Sequence, residues 1–216
     1  MLESPLTDLE CRILGCLLEK QHTTPDYYPL TANALVAACN QTSNRQPVVA
    51  YTEALVQEGL ESLRQRHLIW VVSATGSRAV KFEQRLTDTL HLSLQEAALL
   101  CVLMLRGPQT LGELRGRCER IYPFPDLAEA EAALQALLSA EPEPLAARLP
   151  RLPGTKEPRL VHLLCGAVEI ETVAAALEEE KVRGTDSHVR LEEQVQSLRE
   201  ELAELRAAFE TFKAQF

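Results

Sequence analysis

LTDLECRILGCLLEK, residues Leu6 to Lys20, opens with a leucine, then a hydroxyl residue, then a glutamate three places after the hydroxyl. LSLQEAALLCVLMLR, Leu92 to Arg106, opens in the same way. The pairs Thr7 with Glu10 and Ser93 with Glu96 carry the signature of a capping box. In that motif the hydroxyl accepts from an N–H left unpaired at a helix start, and the glutamate reaches back to the N–H of the cap residue. Behind the first box Leu9, Ile13, Cys16 and Leu17 fall on one helical face. The sequence therefore predicts the same helix start twice.

The likeness continues downstream. LTANALVAAC (Leu30 to Cys39) aligns with QTLGELRGRC (Gln109 to Cys118), placing Thr31 on Thr110, Leu35 on Leu114 and Cys39 on Cys118, and predicts a shorter second helix in each copy. A third helix follows, with Val56, Leu60 and Leu63 on one face in the first copy. In the second copy Asp126 and Glu129 form a capping pair ahead of Leu134, Leu137 and Leu138. Both copies then change period. LIWVVSATGSRAVKFEQR reads as two short strands around a turn at Gly76, and PLAARLPRLPGTKEPRLVHLL as two around PGTKEP, with Leu160 to Leu164 returning. Three helices and a hairpin, twice over, predict a mainly α fold with small β-hairpin wings (α+β), arranged as two tandem winged-helix domains over residues 1–90 and 91–166. The connector from Gln41 to about Tyr51 is longer than a minimal helix-turn-helix turn.

Behind these domains an acidic linker is expected over 167–187 and a coiled-coil helix over 188–216. Leu191, Val195, Leu198, Leu202, Leu205 and Phe209 alternate spacings of four and three and continue to Phe212 and Phe216. With Val195 and Leu202 at a and Leu198 and Leu205 at d, Glu201 and Arg206 fall at g and the next e, an attractive pair in a parallel homodimer. The alternative is an amphipathic helix folded back on its own domains.

The formal net charge is −9, and residues 166–216 hold 12 acidic against 6 basic side chains, so the two domains are almost neutral. That is not the basic footprint of a domain that binds nucleic acid by charge alone. The start, MLESPLTDLE, has no basic n-region or apolar h-region, and the longest apolar run, Ala97 to Leu105, is nine residues. A membrane span needs roughly 20, so a cytoplasmic protein with no membrane partner is expected. The six cysteines show no C-x-x-C pair and are read as reduced core residues with no metal and no cofactor. No Gly-rich phosphate loop, H-E-x-x-H or nucleophile elbow is present, so no enzymatic activity is expected.

The chain resembles the YceH-like family of bacterial tandem winged-helix proteins. The resemblance rests on LTDLECRILGCLLEKQHTTPDYYPL, ACNQTSNRQPV, VQEGLESL, KFEQR, LRGPQTLGELRGR and EPRLVHLLCG, and covers residues 6–166. It implies the fold and implies no reaction.

In a DNA-binding winged helix the third helix enters the major groove and the wing touches an adjacent backbone. Here the first third helix presents Glu53, Gln57, Glu58 and Glu61, and the second has no Lys or Arg between Asp126 and Ala147. The case for duplex DNA rests on Asn44, Arg45 and Gln46 ahead of the first third helix and on Arg78 and Lys81 in the wing. The connector ACNQTSNRQPV also has a purely architectural reading, in which its polar side chains satisfy helix ends and Pro47 starts the next helix. The competing function is a protein-docking module, with a protein partner on the acidic helix faces. His67 is expected to be packed or capping, His162 to face outward from its strand, Trp70 to sit in the wing core, and Tyr27-Tyr28-Pro29 to form a short strand.

Overall fold

The helices begin where the capping pairs put them. The computed structural model describes residues 2, 4–73, 80–151, 157–168, 195–197, 199 and 201–202. Its first half comprises α1 (Asp8–Thr23), β1 (Leu30–Thr31), α2 (Ala32–Cys39), α3 (Glu53–Gln65), β2 (Ile69–Val72), β3 (Lys81–Gln84) and the single turn α4 (Leu86–Thr89). The second half comprises α5 (Leu94–Arg106), α6 (Leu111–Arg117), α7 (Leu127–Leu138), β4 (Ala146–Arg148) and β5 (Leu160–His162). Both boxes close: the Thr7 N–H donates to Glu10 at 2.8 Å and the Glu10 N–H to the Thr7 hydroxyl at 3.2 Å, with the same reciprocal pair between Ser93 and Glu96. A third box, Thr110 with Glu113, starts α6. Asp126 caps α7 as expected by accepting from the Glu129 N–H, but the Glu129 carboxylate turns instead to the Tyr122 hydroxyl.

The first half carries a three-stranded antiparallel sheet in the order β1-β3-β2, with Leu30 opposite Phe82 and Ile69 opposite Gln84. The second carries β4 against β5, with Ala146 opposite His162. Gln109, which aligns with Leu30 in the repeat, exchanges both backbone hydrogen bonds with Leu160 (2.7 and 3.1 Å). A single bridge thus stands where the first half has β1, and the repeat extends to the third strand position.

One apolar cluster runs from Leu6 to Leu164 and takes residues from both halves. At its centre lie α1 and α5, both buried on every side over their middle turns: α5 is apolar all round from Ala97 to Leu105, and α1 buries Glu10 and Arg12 among its apolar residues, each with hydrogen-bond partners. They meet at Gly15, where a Cβ would lie 2.9 Å from Leu105 Cδ2 and 3.3 Å from Met104 Cβ. The Cys101 thiol donates to the Gly15 carbonyl at the same crossing. Helix α3 closes on α1 at Gly59, whose Cβ would come within 2.6 Å of Ile13 Cδ1. Residues 1–168 form one compact unit and residues 169–216 another. The expected break at residue 90 is therefore a repeat boundary inside a shared core.

Three local expectations are corrected. Trp70 is 54% exposed, because it alternates with buried Ile69 along β2 and points off the sheet. Pro25–Tyr27 form a 3-10 turn, the strand begins only at Leu30, and the Tyr28 hydroxyl accepts from the Gln84 N–H at 2.8 Å. Helix α3 starts at Glu53 under a Thr52 cap rather than at Pro47. In the C-terminal unit residues 195–197, 199 and 201–202 are helical, and Val195 and Leu202 are 40% and 48% exposed. Leu191, Leu198, Leu205 and Phe209 lie outside the described residues, as does residues 169–187 of the acidic linker. Among the described residues no helix is long and apolar enough to cross a membrane.

The shared core makes a prediction about cooperativity. Gly15→Leu should destabilise the protein by at least about 1–3 kcal/mol, since Leu105 and Met104 leave no room for a branched side chain. Wild type should unfold in denaturant with coincident transitions by far-ultraviolet circular dichroism, which reports both halves, and by the fluorescence of Trp70, the sole tryptophan and a first-half probe. Two separated transitions would mean that the halves have independent cores.

The connector and the candidate binding face of the first half

Arg45, the connector cation expected at phosphate, is 4% exposed. All five of its N–H donors are used. Nη1 and Nη2 donate to the two oxygens of Glu19 at 3.0 and 2.6 Å, Nε to the Ala38 carbonyl at 3.1 Å, Nη1 also to the Asn44 carbonyl, and Nη2 also to Gln41 Oε1, each at 2.9 Å. A guanidinium has five donors and no acceptor, so this placement leaves none for a phosphate. The physical reason is the bidentate fork: a carboxylate from α1 and the carbonyl ends of α2 fit it better than solvent does.

The rest of the connector is held in the same manner. Asn40 donates from Nδ2 to the Tyr51 carbonyl (2.9 Å) and accepts the Tyr51 N–H on Oδ1 (2.8 Å). Buried Arg12 donates to the carbonyls of Cys39 and Pro47. The half-buried Gln46 gives its N–H to the Leu105 carbonyl of α5 at 2.8 Å. Asn44 is exposed with φ of 60°, a conformation asparagine tolerates, and its Oδ1 accepts from Arg106. The polar run thus closes the gap between helices and ties the first half to the second.

The other cations of the first half are largely engaged as well. Lys20 lies 3.1 Å from Glu19, and Arg64 pairs with Glu61 on α3. Arg66 pairs with Glu10 at 2.9 Å and donates to the carbonyls of Ser4 and Pro5. The Arg85 guanidinium lies 4.3 Å from the centre of the Trp70 ring, in cation–π range. Lys81, half-buried on β3, has no ion pair among the described residues, and Arg78 lies outside them. The structure therefore separates Asn44, Arg45, Gln46 and Lys81 by role: the connector residues face the second half or the interior, and Lys81 sits on the sheet.

What the first half does expose is acidic and apolar. Glu53, Gln57, Glu58 and Glu61 line the outer face of α3, with Leu55 at 37% and Val80, beside β3, at 47% exposure. Between α2, α3 and β3 lies a groove of about 340 Å³ that includes Asn33, Glu53, Gln57, Val80 and Phe82. On the second half Glu131 of α7 pairs with Arg148 of β4.

His162 turns inward, against expectation: its Nε2 lies 3.7 Å from Cys11 Sγ. Two residues apart on a strand share a face, so His162 follows buried Leu160, a signal the sequence carried. Burial lowers its pKa from 6.5 to about 4, opposed by Asp8, which keeps the imidazole neutral at neutral pH. Five cysteines are buried and Cys165 is half-buried, all as free thiols.

Burial raises the Glu19 carboxyl, but its hydrogen bonds with Arg45, the charge of Arg45 and then Lys20 outweigh this and hold it below the ordinary 4.5. A depressed carboxylate contributes stability that is present above 4.5 and lost as pH falls through the folded value. Arg45→Ala should cost about 3–5 kcal/mol at pH 7, because the Glu19 carboxylate loses its bidentate partner and keeps only Lys20, and the Ala38 and Asn44 carbonyls lose a donor, and should remove most of the acid-sensitive contribution of Glu19. Denaturant titration at pH 7 and at pH 3 checks both. A loss below about 1 kcal/mol would mark the pair as a surface ion pair.

The family described as "Protein of unknown function, DUF480" matches residues 6–155. A UPF0502 protein of Pelobacter propionicus is 48% identical across the whole of both chains. Another, of Azoarcus, is 50% identical over 98% of this chain and 94% of its own. The UPF0502 protein YceH of Salmonella paratyphi A is 45% identical over 97% of this chain and 96% of its own. With end-to-end relatives at this identity and the family match spanning most of both halves, the chain belongs to the DUF480 (UPF0502) family of bacterial proteins.

Proposed function

We propose that the chain is a tandem winged-helix docking module, dimeric through its C-terminal helix, whose first half binds a protein segment carrying Lys or Arg beside an apolar side chain. The observation that supports this reading is the saturation of Arg45, which removes the main connector cation from phosphate while Glu53, Glu58 and Glu61 stay exposed around Leu55 and Val80. Carboxylates along a third helix repel a phosphate backbone and attract a basic partner. The groove beside Val80 and Phe82 supplies an apolar seat bordered by Glu53. The reaction class is binding, without chemistry.

Duplex DNA is the second reading, favoured by Lys81, which sits on a wing strand without an ion pair among the described residues. The two separate in one pair of experiments. A photo-crosslinking residue at Leu55 should capture a discrete protein in cells, with capture lost in Glu53→Lys/Glu58→Lys and melting unchanged, since both side chains are exposed. Mixed-sequence duplex should show no retention at low salt. Retention that weakens with added salt and falls further in Lys81→Ala would replace docking with DNA binding.

The dimer has its own test, resting on the exposed Val195 and Leu202 of the heptad seam. Removing residues 188–216 should convert a dimer to a monomer in sedimentation without shifting the melting of residues 1–168, which form a compact unit of their own. Leu198→Asn with Leu202→Asn should do the same, each unpaired amide costing on the order of 1–3 kcal/mol in a dimer seam. A wild type that sediments as a monomer at every accessible concentration rules out the seam as a dimer contact.

A further inference from the structure

We propose that Cys11, His162 and Cys165 form a zinc site that clasps the first helix of one half to the last strand of the other. The three residues come from places far apart in sequence. Cys11 sits in the second turn of α1, and His162 and Cys165 form an H-x-x-C pair running from the end of β5 into the turn that follows. Their ligand atoms all lie within 4.8 Å of one another.

One edge of the cluster has the length expected in a zinc shell. Zinc binds thiolate at about 2.3 Å and imidazole at about 2.0–2.1 Å in a tetrahedron, which sets the sulfur-to-nitrogen edge at roughly 3.6 Å. The observed Cys11 Sγ to His162 Nε2 distance is 3.7 Å. The other edges lie within 4.8 Å, against roughly 3.6–3.8 Å in a tetrahedral thiolate–imidazole shell, so an ion would be seated by side-chain shifts of up to about 1 Å with the backbone in place. Two thiols and an imidazole are also the donor set that zinc prefers over magnesium or calcium, which take oxygen.

The ring is otherwise uncommitted: among the described residues His162 Nδ1 is buried and has no hydrogen-bond partner. Nε2, the nitrogen beside Cys11, is the one placed to take an ion, which leaves the ring proton on Nδ1, where ligating histidines commonly give it to a water or carbonyl.

The electrostatics agree. Asp8, three residues before Cys11 on α1 and exposed, acts on all three ligands, and a nearby carboxylate favours a divalent cation. Cys165 is half-buried, and water would complete a three-ligand shell of this kind. Backbone geometry already holds the two elements together, since the Leu6 N–H donates to the Leu164 carbonyl at 2.7 Å. The site stands apart from the α3 face, so it holds or fails independently of docking.

The test uses the full chain, reduced and freed of metal. Cobalt should produce the intense visible bands of tetrahedral thiolate coordination at one equivalent, and zinc should displace it. Zinc at a hundredfold over its dissociation constant should raise the melting temperature by about 5–10 °C. Cys165→Ser and His162→Gln should each lose the cobalt bands and the zinc-dependent rise. Cys165 is half-buried, so its serine variant should melt without metal as wild type does, which separates lost binding from lost folding. Absent bands in the reduced wild type overturn the proposal. So do bands that persist unchanged in both variants. A Cys11–Cys165 disulfide that survives mild reductant and blocks cobalt also overturns it and assigns the pair to thiol chemistry.

Discussion

The contact at Gly15 is the constraint on which the rest of the molecule depends. Helices α1 and α5 can approach closely there because residue 15 has no side chain, and Leu105 occupies the space a Cβ would need. That approach turns two repeats into one core. It also fixes the connector, since the carbonyl of Leu105 itself accepts the Gln46 N–H and Arg106, the next residue, holds Asn44. The far ends of the two halves are joined as well, through Leu6 and Leu164. Two repeats in tandem could in principle be two beads on a linker, but here the crossing of α1 and α5 leaves the halves a shared interior. Helix α3 is thereby held on a close-packed core to which the second half contributes.

The features that were legible in the sequence are those set by neighbours three or four residues apart. Thr7 with Glu10 and Ser93 with Glu96 marked helix starts because a cap is satisfied within one turn. The change from helical to strand period located β2, β3 and β5, whereas the strand pairing of Leu30 and the bridge of Gln109, both at the start of segments that read as helices, carried no periodic signal. Trp70 and His162 were misplaced although the period-2 rule places them correctly: Trp70 alternates with Ile69, and His162 shares a face with Leu160. Those errors came from reading residue type ahead of position. Arg45 was different. Nothing local in ACNQTSNRQPV says that Glu19, at the far end of α1, will supply a matching carboxylate. A tertiary partner decided that residue, and one sequence read alone does not contain it.

Arg45 and the residues around it show how the same side chain can argue for opposite functions. On a connector ahead of a third helix, Asn, Arg and Gln are the types that read DNA, and they are also the types that satisfy helix ends. The distinguishing quantity is the number of donors left over. Arg45 has none, and Arg12, Arg66 and Lys20 are each committed to a carbonyl or carboxylate. Arg12, Arg45, Arg66 and Lys20 therefore act as internal fasteners of the first half.

The same economy extends to its acidic residues, and this decides which surface remains for a partner. Glu10 serves the Thr7 cap, the Ser62 hydroxyl and Arg66 together, while Glu19 serves Arg45 and Lys20. Carboxylates that fasten the fold are buried or nearly so, and those on the outer face of α3 are exposed, with Glu61 paired only to its helical neighbours Arg64 and Gln65. An exposed pair of this kind contributes little to stability, so a requirement of folding does not account for the acidic face. Helix formation alone does not demand three carboxylates there either, because glutamine or lysine would serve the helix about as well. The negative face next to Leu55 and Val80 is thus surplus to the architecture, and a surface that the fold does not need is where recognition by a partner of opposite charge can act without disturbing the core.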